Sequence, residues 1–355
     1  MGFKDSLMRI LHQIKSLPWK RIGLISLCTV LALILIVAIF VTAYVNHLLG
    51  LIDRPPDVQT GANTVPVYTT EYSKPTLPSD FTEPTIDPTD VTTAPEAEII
   101  ISSEQYPELI NIMLVGQDRR PGEKYLTRSD AMILCTFNTK DKTITMTSFM
   151  RDLYVNIPGH GHDKMNAAYA KGGMKLLRAT MLENFAIDVD AFVEVDFSGF
   201  EKAVDVLDGV TISLTQAETE YLNDYYGWNL TAGVNRLKGD QALAYSRIRH
   251  IGNADFGRTE RQRNVINSII NECKSMSWSK AHELLTQLLP LVATDMTNDQ
   301  IFSYAMKLFP LLKGDIESQR IPVDGSYTFA WVNALDVVLP DLEINRQYLL
   351  DTLLP

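Results

Sequence analysis

Residues 111–150 read NIMLVGQDRRPGEKYLTRSDAMILCTFNTKDKTITMTSFM, and this stretch decides the fold class. It holds three short apolar runs, at 111–118, 131–138 and 142–150, with polar segments between them. The third run alternates threonine with apolar residues, which is the period-two pattern of a strand with two different faces. Runs of this length, bounded by Gly, Asp and Asn, predict three β-strands.

Helical and strand patterns alternate along the chain after residue 150. We expect a helix over 168–185 that opens at Gly173, and a helix over 198–209 with Ser198 as its N-cap and Gly209 closing it. Further helices are predicted at 238–250 and 258–276, and strands at 191–197 and 210–214. The remainder alternates amphipathic helices with short strands. This order predicts an α/β domain in which a central mixed sheet is covered by helices on both faces.

The region before residue 98 has a different composition. Residues 22–45 carry no charge and are long enough to span a bilayer as a helix, whereas five Lys and Arg residues precede them. The positive-inside rule then predicts a cytoplasmic tail at 1–21, a single membrane span at 22–45 and an extracellular remainder. A cleaved signal peptide is the alternative, although the apolar run is long for one. Residues 46–97 are rich in Thr, Pro and acids, which predicts a disordered linker before a domain at 98–355.

The overall charge narrows the class of ligand. The net charge is −11 and the isoelectric point is about 5.1, which argues against nucleic-acid binding. The three cysteines, Cys28, Cys135 and Cys273, have neither zinc spacing nor the density of a disulfide framework. In such an acidic chain, clustered arginines say more about a possible ligand site than they would in a basic chain.

Two aspartates flank the loop between the first two predicted strands. Asp118 ends the first apolar run and Asp130 precedes the second, so both would lie at one sheet edge if the strands are neighbours. Paired carboxylates need a compensating cation, which Mg²⁺ (or Mn²⁺) or the nearby Arg128 could supply. A solvated polar loop is the alternative interpretation.

Arginines recur near predicted strand and helix ends. Arg151 and Asp152 follow the third strand, where ligand-facing residues collect in α/β sheets. Arg247 and Arg249 are two residues apart and would point to the same side of an extended backbone. Guanidinium groups bind phosphate oxygens in bidentate fashion, so these positions are candidates for an anion site.

The segment NADFGRTERQRNVI (253–266) adds a helical face to this set. Asp255, Arg258 and Gln262 are spaced i, i+3 and i+7, which places them on one side of a helix. Arg261 and Arg263 fall off that face and are predicted to be solvated. The alternative for any single arginine is a surface ion pair of little energetic value.

Seven blocks along the chain, taken in order, resemble the catalytic domain of the LytR-CpsA-Psr family. They are NIMLVGQD, TRSDAMILCTFN, RDLYVNIPG with DKMNAAYAKGG, FVEVDFSGF, LDGV, LKGDQALAYSRIRH and ADFGRTERQ, between about residues 108 and 275. The resemblance implies an extracellular, membrane-anchored enzyme of the cell wall. Such an enzyme moves a glycopolymer, such as teichoic acid or capsule, from a polyprenyl-pyrophosphate carrier to the 6-hydroxyl of N-acetylmuramic acid in peptidoglycan.

The resemblance also implies roles for individual residues. Metal-binding aspartates fall on Asp118 and Asp130, and Asp255 matches an acid that orients the last arginine. Residues that contact pyrophosphate fall on Arg128, Arg151, Arg247, Arg249, Arg258 and Gln262. The lipid chain would lie in an apolar pocket between the sheet and the helices.

This sequence departs from the family pattern beside the charged positions. Gln117 stands where serine is common, and Met150 and Leu153 flank Arg151–Asp152 where proline and threonine are common. The charged residues themselves are retained, so the departures concern substrate detail.

Several readings remain open from the sequence. Either Asp130 or Asp152 could act as the base for the sugar hydroxyl. A polyprenyl-pyrophosphate pyrophosphatase would use the same charges with water as acceptor. A non-catalytic, membrane-anchored regulator or lipid-binding module is the third reading, although the short predicted tail has no room for a DNA-binding domain.

Overall fold

The computed structural model describes residues 43–54, 99–117, 128–252, 255–274, 277–314, 316–332 and 335–354. The chain divides into two compact units, Met1–Leu51 and Ile52–Pro355. In the first unit, residues 43–49 are helical. No helix within the described ranges is both long and apolar enough to cross a bilayer. The predicted span at 22–45 falls almost wholly outside these ranges.

A six-stranded mixed sheet forms the centre of the second unit. The strands are β1 (Leu109–Gln117), β2 (Ser129–Asn138), β3 (Thr143–Phe149), β6 (Ala191–Asp196), β9 (Val292–Thr294) and β10 (Ile316–Ile321). Their order in the sheet is β10-β3-β2-β1-β6-β9. Neighbours run antiparallel, except that β1 pairs with β6 and β3 pairs with β10 in parallel.

Three two-stranded ribbons lie outside this sheet. They are β4 (Tyr154–Ile157) with β5 (Gly161–Lys164), β7 (Val210–Leu214) with β8 (Gly233–Leu237), and β11 (Tyr327–Val332) with β12 (Leu335–Pro340). The helices are α1 (Met165–Phe185), α2 (Phe197–Val206), α3 (Gln216–Tyr226), α4 (Gly239–Ser246), α5 (Asp255–Lys274), α6 (Trp278–Leu288), α7 (Asn298–Leu308) and α8 (Leu342–Leu353).

Helices pack on both faces of the sheet because alternate side chains of the central strands point in opposite directions. On one face, Leu109 and Met113 of β1 join a buried cluster with residues of α1 and α8. On the other face, Ile110 and Ile112 pack with α7, and Ile133 of β2 packs with α5. The predicted central mixed sheet with helices on both faces is confirmed.

The local expectations are mostly confirmed. The first three strands and α1 occur where predicted, and α1 has non-helical backbone at Gly172 and Gly173. The predicted N-cap Ser198 is wrong, since Asp196 caps α2 by accepting a hydrogen bond from the Gly199 backbone N–H. Asp196 directly precedes the first residue of α2 and so occupies the N-cap position, whereas Ser198 lies inside the helix.

The beginning of the predicted disordered linker is ordered on the edge of the sheet. Asp53 forms a parallel β-bridge with Ala293 of β9. Arg54 donates to the carbonyl of Met296 at 3.1 Å and to the side chain of Asn298 at 2.5 Å. Residues 52–54 are therefore ordered, where the sequence predicted disorder, because the edge strand β9 offers them backbone hydrogen-bond partners. The rest of the predicted linker, 55–97, lies outside the described residues.

Candidate active site

The adjoining ends of β1 and β2 position Asp130. Gln117 pairs with Ser129, while Gly116 pairs with Ala131, so the register shifts at this point and leaves Asp130 in a β-bulge. A bulge re-aims the side chain of its extra residue. The strands are neighbours, as the expectation for Asp118 and Asp130 required, but Asp118 itself lies outside the described residues. Arg128 is half-buried directly before β2.

Arg151 lies at the centre of a network of carboxylates. It follows β3 as predicted, and its Nη1 donates to Asp130 Oδ1 at 2.8 Å. Its Nε donates to Asp152 Oδ2 at 3.2 Å and lies 4.0 Å from Asp255 Oδ2. Burial opposes the charge of Arg151, but the three acids raise its pKa above the usual value. The structure thus brings together three predicted acids, from β2, the turn after β3 and α5, around one guanidinium.

Arg258 is the most buried cation of the predicted set, with 3% of its side chain exposed. Its Nη1 lies 3.3 Å from Asp255 Oδ1, and Arg249 Nε lies 3.6 Å from the same oxygen. Burial lowers the pKa of Arg258 to about 10, while Asp255 opposes this shift, so the side chain remains charged at neutral pH. Its Nε and Nη1 make no hydrogen bond within the described part of the chain. Asp255 is the anion beside this buried cation, and Nε and Nη1 keep hydrogen-bonding capacity for a further anionic ligand.

Arg247 and Arg249 reach the same cavity from a helix end. Arg247 is the C-cap residue of α4 and has helical rather than extended backbone, so the predicted extended geometry is wrong at this residue. Its guanidinium lies 4.6 Å from the centre of the Phe197 ring, a cation–π contact. Both arginines nevertheless line one cavity.

This cavity has a volume of about 530 Å³ and lies between the sheet and helices α2 and α5. Its walls are apolar and include Leu114, Ile133, Val193, Phe200 and Ile269. Its polar lining includes five of the predicted residues, namely Asp130, Arg247, Arg249, Arg258 and Gln262. An apolar cleft with charged groups gathered on one part of its wall suits a ligand with an anionic head and an apolar chain.

The carboxyl groups of Asp152 and Asp255 both approach Arg151 Nε, at 3.2 and 4.0 Å. Burial opposes ionisation of Asp152, but hydrogen bonds with Asp255 and Lys164 and the charge of Arg151 lower its pKa to about 2. Burial and the hydrogen bond with Asp152 raise the pKa of Asp255 above its usual value, against the charges of Arg258 and Arg151. The pKa values of the two acids are therefore shifted in opposite directions, which makes Asp152 the poorer proton acceptor.

Two further arginines of α5 are buried, which contradicts the prediction that they are solvated. Arg261 is 6% exposed, and its Nε donates to Glu218 of α3 at 2.6 Å. Arg263 is 8% exposed, and burial lowers its pKa to about 10. The helix is enclosed on several sides, so residues off the predicted face still meet neighbouring elements.

Sequence reasoning missed two components of the site. Lys164 donates to Asp152 Oδ1 at 2.7 Å, and nothing in its position twelve residues downstream signals that contact. The apolar wall of the cavity comes from separate strands and helices, so no local pattern marks it. Successive side chains of β1 alternate between the two faces of the sheet, so the sequence does indicate that Leu114 faces away from Met113. This alternation is the available signal for the cavity wall.

Within the described residues no three His, Cys, Asp or Glu side chains cluster as a metal site. Of the two predicted metal ligands, Asp130 is the one within the described residues, and its Oδ1 accepts a hydrogen bond from Arg151 Nη1. Mg²⁺ at phosphate sites commonly uses only one or two carboxylates together with substrate oxygens. The donor type at Asp130 is therefore compatible with a magnesium ion that binds together with its substrate.

Comparison with known proteins identifies related sequences. The model of the LytR_cpsA_psr family matches residues 82–346. The Regulatory protein MsrR of Staphylococcus aureus (strain Mu50) is 34% identical over 221 residues, which are 61% of this chain and 66% of that relative. The Polyisoprenyl-teichoic acid–peptidoglycan teichoic acid transferase TagU of Oceanobacillus iheyensis is 35% identical over 251 residues, covering 67% of this chain and 74% of the relative.

Solved structures of TagT, a protein of Bacillus subtilis, have a similar fold. TagT bound to LI-WTA is 28% identical, with a TM-score of 0.58, over 74% of this chain and 96% of that chain. TagT with bound octaprenyl pyrophosphate lipid is 27% identical, with a TM-score of 0.54, over the same shares of the two chains.

Proposed function

Because this chain belongs to the LytR_cpsA_psr family, we propose that it transfers a glycopolymer from a polyprenyl-pyrophosphate carrier to peptidoglycan. The relatives TagU and TagT are teichoic acid transferases by name. An anionic glycopolymer such as teichoic acid or capsule is the proposed cargo. The acceptor is the N-acetylmuramic acid hydroxyl, and the product is a phosphodiester.

The observation that carries this proposal is the buried guanidinium of Arg258 beside an apolar cavity. Two of its nitrogens have no hydrogen-bond partner within the described residues, although the side chain is nearly inaccessible to solvent. Arg247, Arg249 and Gln262 line the same cavity. A pyrophosphate bound there would satisfy Arg258 by charge-assisted hydrogen bonds, which are about twice as strong as neutral ones.

The apolar part of the cavity suits the polyprenyl chain. Its walls are Leu, Ile, Val and Phe side chains from β1, β2, β6, α2 and α5. Removing apolar surface from water contributes about 25 cal/mol per Å², so a long lipid would gain several kcal/mol from this wall. The cavity therefore selects a carrier by its chain as well as by its charge.

The proposed reaction forms one bond and breaks one bond. The acceptor hydroxyl oxygen bonds to the phosphorus that carries the glycopolymer, and the bond from that phosphorus to the bridging oxygen breaks. The electron pair leaves with polyprenyl monophosphate, and the hydroxyl proton passes to a carboxylate of the site. Positioned arginines stabilise the negative charge that develops on the leaving phosphate, which is the main contribution a protein makes to phosphoryl transfer.

Magnesium is the proposed cofactor, with Asp118 and Asp130 as its protein ligands and Mn²⁺ as a substitute. A bound ion would supply further neutralisation of the pyrophosphate oxygens. Arg151 holds the Asp130 carboxylate in place through its 2.8 Å hydrogen bond, and this fixes the direction in which the second oxygen points.

We also propose that the chain is anchored in the cell membrane by residues 22–45, with its catalytic domain outside the cell. The support is the uncharged apolar run with basic residues before it and an acidic, Thr- and Pro-rich segment after it. A lipid-linked substrate and a peptidoglycan acceptor require that location.

The test is a transfer assay with a polyprenyl-pyrophosphate-linked glycan and uncross-linked peptidoglycan oligomers. We expect Arg249→Ala to lower transfer by roughly 100- to 1000-fold, in the range seen when one charge-stabilising donor is removed. Arg236→Ala is the matched control, because Arg236 is a surface residue of β8 that pairs with Glu272.

Two outcomes would contradict the proposal. Undiminished transfer by Arg249→Ala would separate the arginine site from the reaction. Release of polyprenyl phosphate at a rate independent of peptidoglycan would instead identify a pyrophosphatase, since water would then be the acceptor.

A further inference from the structure

A second pocket, of about 480 Å³, lies on the other side of the carboxylate network. Its wall includes Asp152 and Asp255, and Asp255 also pairs with Arg249 and Arg258, which line the first cavity. Arg151 hydrogen-bonds Asp130, which lines the first cavity, and Asp152, which lines the second. One layer of ion pairs therefore separates the two pockets.

The β11–β12 ribbon provides the opposite wall of this second pocket. Tyr327 and Phe329 of β11 form an aromatic cluster with Phe256 of α5, with ring centres 5.1 to 6.3 Å apart. Phe329 is 66% exposed, although it has apolar neighbours in the cluster. An exposed ring beside a pocket is available to stack on a ligand.

The ribbon is fixed directly to the catalytic segment. The backbone N–H of Val338 in β12 donates to the carbonyl of Asp152 at 2.9 Å, and Leu153 forms a parallel bridge with Val338. The aromatic wall therefore has a set position relative to the Asp152 carboxylate. This attachment makes the pocket part of the site rather than an incidental surface groove.

The charge of the pocket decides which substrate suits it. Four acids line it, namely Asp152, Asp255, Asp324 and Asp336, against one arginine, Arg320. Arg320 is already paired with Asp324 and stacks over Phe256 at 4.3 Å. An anionic glycopolymer would be repelled here, whereas the arginine-rich cavity would attract it. Uncharged sugar rings offer apolar faces for aromatic stacking and hydroxyl and amide N–H donors for carboxylates.

We propose that this pocket is the acceptor subsite, in which uncharged sugar rings of a peptidoglycan strand stack on Phe329 and Tyr327 with a hydroxyl at the Asp152–Asp255 pair. The proposal rests on the proposed transferase function. It adds that acceptor and donor approach opposite sides of one carboxylate layer. Asp336 on the ribbon accepts further hydrogen bonds from the glycan.

The experiment measures initial transfer rates while the concentration of uncross-linked peptidoglycan oligomers is varied. Phe329→Ala is expected to raise the KM for the acceptor about tenfold, with little change in the KM for the lipid-linked donor. The ring is largely exposed, so its removal leaves the fold intact. Phe309→Ala is the matched control, since Phe309 is 70% exposed and does not line the pocket. Asp336→Asn provides a second variant with an expected increase in the same KM.

A binding measurement separates this proposal from the proposed function. Isothermal titration of the same oligomers into the full chain, without donor, is expected to show binding that Phe329→Ala weakens and Arg249→Ala does not. That pattern would support the subsite even if no transfer occurred. Unchanged acceptor KM and unchanged oligomer affinity in Phe329→Ala would overturn the proposal, whether or not the enzyme transfers glycan.

Discussion

At Asp152 a single carboxylate links the chemistry of the site to the stability of the fold. Lys164 of β5 and Arg151 both donate to it, and 15% of its side chain is exposed. Its lowered pKa of about 2 means that the folded state stabilises the ionised form. Removing the charge would leave Arg151 and Lys164 with one fewer partner in a site that is largely closed to water.

We predict that Asp152→Asn lowers the free energy of unfolding by about 2 kcal/mol at neutral pH, the equivalent of the pKa difference from an unfolded carboxyl. Because the folded-state pKa is depressed, this contribution is present above about pH 4. It is lost as the pH falls toward about 2. Urea titrations of both proteins across this range measure the difference.

Asp224→Asn is the control for that measurement, because Asp224 is exposed on α3. The control should unfold like the wild-type chain at every pH. A constant difference between the wild-type chain and Asp152→Asn down to pH 2 would show that the effect is packing and not charge.

The residue spacing in α5 predicted part of its environment. Arg258 and Gln262 line one cavity, and Asp255 contacts Arg258, as a shared helix face requires. The same spacing misassigned Arg261, which forms a buried ion pair with Glu218. A helical wheel identifies which residues lie together, but it does not show how many sides of the helix other elements cover.

At the scale of elements, the first cavity is a gap between layers. Helices α2 and α5 pack beside the sheet face formed by β1, β2 and β6 and leave apolar walls between them. Ala203 of α2 is one of the lining residues, and its small side chain leaves room for a ligand. The width of the cavity therefore depends on side-chain volume along one helix.

We predict that Ala203→Phe raises the KM for a donor with a long polyprenyl chain about tenfold. The added ring displaces lipid worth roughly two methylene groups, at about 0.8 kcal/mol each. A donor with a short prenyl chain should be affected much less. Steady-state kinetics with the two donors measure the effect.

Lys202→Phe is the matched control, since it places the same side chain at the adjacent, exposed position of α2. An equal loss of activity for short and long donors would contradict the assignment of this cavity to the lipid. It would point instead to a general disturbance of the helix.

At the scale of the whole molecule, one compact unit holds an arginine-rich cavity and an acidic aromatic pocket on either side of one ion-pair layer. Ligands that bind only the folded state stabilise it by mass action, by about 2.7 kcal/mol at one hundred times Kd. Binding of the proposed donor lipid should therefore be visible in the unfolding transition of the full chain.

We predict that polyprenyl pyrophosphate raises the Tm by several degrees, and that a polyprenyl alcohol of equal chain length raises it much less. The difference reports the contribution of the arginines, so Arg258→Gln should remove most of it. Differential scanning calorimetry measures the Tm with the pyrophosphate, with the alcohol and for the Arg258→Gln variant. Equal shifts in Tm from the alcohol and the pyrophosphate would show that the arginines of the cavity do not recognise the head group.

The sequence by itself determined the fold class and indicated several of the charged residues that the structure brings together. Strand and helix periods are local properties of the chain, so β1 to β3, α1 and the shared face of Arg258 and Gln262 followed from residue spacing. The hydrogen-bonding and charged residue types likewise indicated an anion site.

Only the tertiary structure decided which distant residues meet. The Lys164–Asp152 contact, the burial of Arg261 and Arg263, the walls of the lipid cavity and the attachment of β12 to Asp152 all join segments far apart in the chain. No local pattern encodes such contacts, because they depend on how sheet and helices pack as layers. The site has two sides for the same reason, since packing alone places the β11–β12 ribbon opposite the arginines.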